Sequence, residues 1–304
     1  MTATPGALLR AMRPSQWSKN VFVLAALVFA AGDQRIGQEV SSERVLAVLA
    51  AFAAFSLASS AVYLLNDVLD AEKDRAHPEK KTRPIASGEL APRTALAAAG
   101  VLFVGALVLA ATLGGGRAGV AVLAGYGALN VAYGLALKRV VLVDAFCIAS
   151  GFLLRLAAGG IAAGAEVSRW AFLCTLFLAL FLALNKRRAE LALLGAGNIS
   201  TRSSLQEYSV PFLDQMVSVL AACTIVAYTM YTVDPDTAHK FARAEMLFWS
   251  VPCVAFGIGR YMVLVQSGRG GENPARILLG GDGWFLLNTL LWAAVVAYAL
   301  FGKA

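Results

Sequence analysis

The chain has 304 residues, 59% of them hydrophobic and only 15% charged, with a net charge of +7 and a mean hydropathy of +0.67. A soluble protein of this length does not carry so apolar a composition, so the chain reads as a membrane protein. Its positive charge is split among loops between apolar runs, which argues against nucleic acid as a partner and for anionic headgroups or phosphorylated substrates.

Nine apolar runs are long enough for a hydrocarbon core of about 30 Å: 17–34, 43–65, 92–112, 117–137, 141–163, 169–188, 209–232, 243–266 and 283–302. The expected fold class is an all-α membrane protein, nine transmembrane helices forming a single polytopic domain over 1–304. The first run follows basic residues as a signal peptide would. It is expected to be retained, because Arg13, Gln16, Trp17, Lys19 and Asn20 read as functional. Gln16 and Asn20 share a helical face, and buried amides need partners. Trp17 suits an interface anchor, while Arg13 and Lys19 suit either headgroups or substrate.

The second run ends in N-D-V-L-D-A-E-K-D, Asn66 to Asp74. Asp67, Asp70 and Asp74 are spaced i, i+3, i+7, which puts three carboxylates on one helical face, and Asn66 lies four residues before Asp70. Three like charges repel, and a divalent cation relieves the repulsion. Hard oxygen ligands suit Mg²⁺, which commonly binds one or two carboxylates together with substrate phosphates. The segment therefore reads as a diphosphate site at the end of a membrane helix. Pro78 predicts the end of that helix at or near His77. Beyond it, Lys80 and Arg83 are placed to curl back over the carboxylates, offering cations to a leaving diphosphate.

Tyr133 and Lys138 end the fourth run, where Lys138 suits a phosphate and Tyr133 a phosphate oxygen. Asp144 opens the fifth run, either orienting Lys138 or acting as a helix-start charge. Arg155 lies 11 residues further on, about 16 Å deeper at 1.5 Å per residue. An intramembrane Arg costs on the order of 2.5–3.5 kcal/mol, so it is expected to face a cavity and a partner, either substrate or a structural ion pair. Arg260 is a similar case with weaker context. After the sixth run, Lys186, Arg187 and Glu190 form i, i+4 and i, i+3 pairs, read as surface salt bridges or as a phosphate clamp. Arg202, Ser204 and Tyr208 are weaker candidates in the same loop. The four cysteines all lie inside apolar runs without metal or disulfide spacing, and read as small core residues.

Lysine and arginine set the orientation: 17 fall on one side and 7 on the other. The richer side is expected to be cytoplasmic, in a cell (inner) membrane, with the N-terminus inside and the C-terminus outside. Loops 66–91, 138–140, 185–208 and 267–282 would then form a cytoplasmic cap over the active site.

The residues so placed resemble the UbiA superfamily of intramembrane prenyltransferases. The resemblance rests on N-D-x-x-D-x-x-x-D (Asn66, Asp67, Asp70, Asp74), H-P-x-K-x-x-R-P-I (His77 to Ile85) and Y-x-x-x-x-K (Tyr133, Lys138). Quinone-pathway members carry a second D-x-x-x-D carboxylate motif after the sixth helix, where this chain has Asn185-Lys186-Arg187-Arg188-Ala189-Glu190. That departure, with R-P-x-Q-W-x-K-N (Arg13 to Asn20), is similar to the branch that transfers phosphoribosyl groups to decaprenyl phosphate. The resemblance implies phosphoribosyl pyrophosphate as donor, polyprenyl phosphate as acceptor, and a product feeding cell-wall arabinose or ribose units. It implies Mg²⁺ on Asp67, Asp70 and Asp74, assisted by Asn66, with Lys80, Arg83 and Lys138 on donor phosphates. Lys186 and Arg187 are then the candidates for the second phosphate-bearing substrate. The alternatives are an aromatic prenyltransferase of quinone pathways, for which Glu190 alone is thin support, and a non-enzymatic lipid-phosphate transporter. Assembly into a homo-oligomer is left open.

Overall fold

A computed structural model describes residues 5–34, 41–194, 205, 207–267 and 282–302. Every regular element among them is helical. In chain order these are α1 (Pro5–Met12), a 3₁₀ segment (Pro14–Asn20), α2 (Val21–Gly32), α3 (Ser42–Leu69), α4 (Ala71–Arg75), α5 (Pro92–Thr112), α6 (Gly116–Leu135), α7 (Val143–Ala163), α8 (Arg169–Leu194), α9 (Val210–Val233), α10 (Pro235–Ala238), α11 (Val251–Gln266) and α12 (Gly283–Phe301). Short 3₁₀ turns fall at Lys80–Thr82 and Leu137–Arg139, and another, Ala244–Ser250, leads into α11.

Eight helices among the described residues are long and apolar enough to cross a membrane, and they coincide with the second to ninth predicted runs. The first run differs. It is built as the 3₁₀ segment followed by a 12-residue helix, about 18 Å long and short of a full crossing on its own. Pro14 starts the 3₁₀ segment, and Arg13 before it takes a left-handed φ of 54°.

The chain divides into two compact units. Unit one comprises Met1–Val28, Val40–Lys138 and Leu154–Glu166; unit two comprises Phe29–Glu39, Arg139–Leu153 and Val167–Ala304. In unit one, Leu64, Ile85, Leu90 and Ala95 join α3, the segment after α4 and the start of α5 in one core. The largest core of unit two gathers Ala145, Phe181, Leu184, Leu213, Val217 and Tyr261 from α7, α8, α9 and α11. A second one packs Tyr231, Phe241, Leu247 and Leu300. The outward faces are apolar: Val101, Val104 and Val108 on α5 are 73%, 60% and 57% exposed. An exposed apolar stripe of that kind suits lipid rather than water. The chain is a multi-pass membrane protein.

Helix α3 carries the acidic segment. Ser41 caps its start, accepting the Arg44 N–H at 3.3 Å. Its 28 residues span about 42 Å, some 12 Å more than the hydrocarbon core. The expected single acidic helix is instead two, since Asp70, at φ −99° and ψ 5°, ends α3 and precedes α4. The backbone bonds Asp70 N to Asn66 O (2.9 Å) and Asp74 N to Asp70 O (2.8 Å) carry the i, i−4 pattern across this turn. The three aspartates therefore stay close despite the break. α4 ends at Arg75, just short of the His77 boundary read from Pro78. His77 Nδ1 then accepts the Glu79 and Lys80 amides at 3.2 and 3.4 Å, shaping the turn that returns Arg83.

Candidate active site

In unit one the acidic segment is interleaved with cations. Arg83 Nη1 donates to Asp67 Oδ1 at 3.2 Å and to Asp74 Oδ2 at 2.7 Å. Arg13 also donates to Asp67, and its guanidinium lies 4.9 Å from the Tyr63 ring centroid. Lys138 Nζ reaches both oxygens of Asp70, at 2.8 and 3.1 Å. Asp67 and Asp74 are buried, whereas Asp70 is partly open. Arg83 curls back as the sequence suggested; Lys80 sits half-buried in the 3₁₀ turn before it. Tyr133 and Asn66 are half-buried nearby. Gly134 lets α6 approach α3 at this level, since a Cβ there would come within 2.7 Å of Asn66 Oδ1.

Deeper in unit one, Asn20 is fully buried and bridges two elements. Its Nδ2 donates to Ser56 Oγ at 3.0 Å, and its Oδ1 accepts from Arg155 Nε at 2.7 Å. Arg155 also donates to Tyr126 OH at 3.1 Å, with its guanidinium 4.8 Å from the Tyr126 ring centroid and 5.7 Å from that of Phe55. Trp17 Nε1 donates to Ser60 Oγ at 3.0 Å. Lys19 is exposed and Gln16 half-buried. Lys19 lies within electrostatic reach of both Arg155 and Arg13.

In unit two α8 runs on through Leu194, so the basic segment expected to open the 185–208 loop is helical instead, and it divides by burial. Lys186 is exposed, with Nζ 4.0 Å from Glu190. Arg187 is buried: Nε donates to Asp144 Oδ2 at 2.7 Å and Nη1 to Glu190 Oε2 at 2.9 Å. Asp144, read from sequence as a partner for Lys138 or a helix-start charge, is fully buried and accepts from Arg187 and from Tyr208 OH at 2.9 Å. The same hydroxyl accepts the N–H of Leu142 at 2.8 Å, where the backbone takes a φ of 65° that a leucine adopts rarely. Burial is the main reason the Tyr208 phenol is pushed up to about 12, with the Asp144 charge adding to it. It is a neutral donor at physiological pH. Arg260 binds Asp282 through two bonds, 3.0 and 2.6 Å, which meets the expectation of a structural ion pair. Arg202 and Ser204, and most of the 267–282 loop, lie outside the described residues.

Sequence reading missed Ser56, Ser60, Tyr63 and Tyr126 as part of this surface. The first three precede Asp67 at steps of four, three and four residues, so the acidic stripe continues inward on the same face of α3. That periodicity was visible in the sequence; the place of Tyr126 was not.

Asp67, Asp70 and Asp74 offer the hard oxygen donors that Mg²⁺ prefers. No three Asp, Glu, His or Cys side chains among the described residues converge on one point as they stand. Instead, one positive nitrogen of Arg83 touches both Asp67 and Asp74. A cation is thus accommodated between two carboxylates of the motif, and the donor set fits a divalent ion there once the guanidinium moves aside.

Comparison with known proteins bears on the same residues. The chain is 36% identical over 300 residues to the decaprenyl-phosphate phosphoribosyltransferase of Mycolicibacterium smegmatis, covering 97% of this chain and 92% of that protein. It is 37% identical over 296 residues to the one of Mycobacterium tuberculosis H37Rv, covering 96% and 94%. Among solved structures, a UbiA homolog from Archaeoglobus fulgidus bound to GPP and Mg²⁺ superposes with a TM-score of 0.71 at 18% identity, covering 98% of this chain and all of that one. At 18% identity the likeness speaks to fold alone. The UbiA prenyltransferase family matches residues 19–187, a stretch that holds the acidic segment, Arg83, Lys138 and Arg155, and the chain belongs to that family.

Proposed function

We propose that the chain is a transferase that moves the 5-phosphoribosyl group of phosphoribosyl pyrophosphate onto a polyprenyl phosphate such as decaprenyl phosphate. The product would be a polyprenyl-phosphoryl ribose 5-phosphate supplying cell-wall arabinose or ribose units. The observation that carries the reading is the alternation of charge in unit one: each carboxylate of the motif is held by Arg13, Arg83 or Lys138. Such a surface can take a metal on its acids and phosphate oxygens on its bases. The similarity to two phosphoribosyltransferases over nearly the whole chain supports the choice of substrates.

Asp67, Asp70 and Asp74 would hold Mg²⁺, with Asn66 beside them. The ion supplies charge neutralisation to the departing pyrophosphate. Arg83 and Lys138, released from the carboxylates, would bind diphosphate oxygens as their charge grows, with Lys80 and Tyr133 nearby. A lipid phosphate oxygen forms the new bond to the anomeric carbon. The bond from that carbon to pyrophosphate breaks, and pyrophosphate leaves with the electron pair. The acceptor is already ionised, so no residue has to remove a proton, and the chemistry rests on positioning and charge. Lys186 would contribute a further cation for a substrate phosphate. Arg187, buried between two carboxylates, would act by holding the chain around it. Eight apolar helices, with a further crossing built on residues 14–32, would place the N-terminus in the cytoplasm and the C-terminus outside.

The test uses purified protein in detergent with Mg²⁺, decaprenyl phosphate and radiolabelled phosphoribosyl pyrophosphate. Label should move into the organic phase and stop on chelation. No transfer here, but transfer from a prenyl diphosphate to an aromatic acid, would overturn the reading.

A further inference from the structure

Three cations meet the three carboxylates of the acidic motif, and they are not held alike. Arg83 lies between two acids, on Asp67 Oδ1 at 3.2 Å and Asp74 Oδ2 at 2.7 Å. Lys138 reaches Asp70, the most open of the three. Arg13 donates to Asp67 Oδ1, and its guanidinium lies 4.9 Å from the Tyr63 ring centroid. Tyr63 stands four residues before Asp67, on the same face of α3. Ring and carboxylate therefore clamp the guanidinium from a single helix, adding a cation–π contact to the ion pair.

The backbone of Arg13 is fixed as well. Its φ of 54° and ψ of 63° are left-handed, a conformation that a residue with a Cβ keeps only where its surroundings impose it. Its N–H donates to Arg10 O at 3.2 Å, and its carbonyl accepts the Gln16 N–H at 2.9 Å. Before it, Ala11 is buried in the core that includes Leu64 and Ile85. After it, Trp17 Nε1 binds Ser60 Oγ on α3 at 3.0 Å. A strained turn fastened at both ends thus delivers Arg13 to Asp67. Arg83 instead follows a 3₁₀ turn of three residues.

Charge balance separates the two arginines further. A divalent ion entering among three carboxylates replaces two of the three cations and leaves the third in place. Asp67 is buried, and a buried carboxylate needs a partner. A carboxylate oxygen has two lone pairs, so Oδ1 can keep Arg13 while the place of Arg83 is taken.

We propose that Arg13 is a positioning residue for the metal site: it stays on Asp67 when a divalent ion displaces Arg83, and it fixes that carboxylate toward the ion. The assignment rests on the reading that the acidic motif takes a divalent cation while Arg83 and Lys138 turn to the diphosphate. The two arginines on Asp67 then act in opposite directions. Arg83 competes with the ion; Arg13 prepares its ligand. By charge alone both would repel the ion, so a weaker site on loss of Arg13 is the mark of positioning.

Metal binding to the full chain in detergent tests this without donor, acceptor or turnover. The probe is Mn²⁺, with the free ion counted by its paramagnetic resonance signal. Wild type should bind it saturably, and Asp70→Ala should lose that binding. Arg13→Gln should weaken binding by about tenfold or more, the scale of lost support behind a metal ligand, although it removes a positive charge. Arg83→Gln should bind at least as tightly as wild type. Arg13→Lys, whose ammonium can still meet both the ring and the carboxylate, should recover most of the loss. Tyr63→Leu leaves every charge in place and should weaken binding in the same direction as Arg13→Gln. Metal-free thermal midpoints show which variants fold, and Tyr63→Leu decides if Arg13→Gln does not. Unchanged or tighter binding in Arg13→Gln, equal losses in the Gln variants of both arginines, no recovery in Arg13→Lys, or unchanged binding in Tyr63→Leu overturns the role. Binding that is lost in Asp70→Ala but not weakened in Arg13→Gln refutes the positioning role and leaves the metal reading standing; no binding by wild type refutes both.

Discussion

Asp144→Asn tests what the basic segment in the last turns of α8 does. Asp144 and Arg187 side chains are 0% and 1% exposed, joined at 2.7 Å. Removing one partner of a buried pair costs about 3–5 kcal/mol, because the other charge stays buried. Two features reduce the figure here. Asn keeps the shape and one accepting oxygen, and Glu190 still contacts Arg187 at 2.9 Å. A loss of about 2–3 kcal/mol follows, which lowers the apparent unfolding midpoint in detergent by about 5–10 °C. Glu190 is 29% exposed, so Glu190→Gln should cost no more than about 1 kcal/mol. Thermal unfolding followed by tryptophan fluorescence compares the two. A midpoint for Asp144→Asn within about 2 °C of wild type, or a larger loss for Glu190→Gln, would refute the buried-anchor account of Arg187.

Asp70→Ala should abolish turnover and Mg²⁺-dependent donor binding; turnover that persists with the same Mg²⁺ requirement would remove Asp70 from the metal site. Arg83→Gln loses the contacts to Asp67 and Asp74 and should lower kcat/KM for the donor by about 10–100-fold, the scale of one or two charge-assisted bonds. Mg²⁺ affinity measured without donor should not fall in that variant, since the guanidinium competes with the ion for the same oxygens. Tyr208 sets a pH dependence: its phenol is raised from 10.0 to about 12, so between those values the folded chain holds a proton that the unfolded chain has released. Stability conferred by Tyr208 is complete below pH 10 and falls as pH rises through about 12. Tyr208→Phe should therefore be less stable than wild type at pH 8, with the gap narrowing above pH 10 in denaturation curves; a constant gap would refute the shift.

The sequence by itself determined the all-helical membrane architecture, because runs of 19 to 28 residues with few charges satisfy the bilayer only as helices. It also determined the acidic motif, since carboxylates at three- and four-residue spacing share a face wherever the backbone is helical, and the turn at Asp70 barely disturbed that. Arg83 returning to the acids was legible from Pro78 for the same local reason. Tertiary structure alone decided which charges meet. Arg187 and Asp144 are 43 residues apart, and nothing in their spacing distinguishes a buried anchor from a phosphate clamp. Asn20 and Arg155 are 135 residues apart, and only packing brings the 3₁₀ segment against α7. The first run has the length of a crossing, 18 residues over 17–34, yet its opening is taken up by a 3₁₀ segment over Pro14–Asn20 that follows the left-handed turn at Arg13. Helical periodicity is local and survives in sequence; pairing between distant charges depends on how the helices pack, which no local pattern encodes.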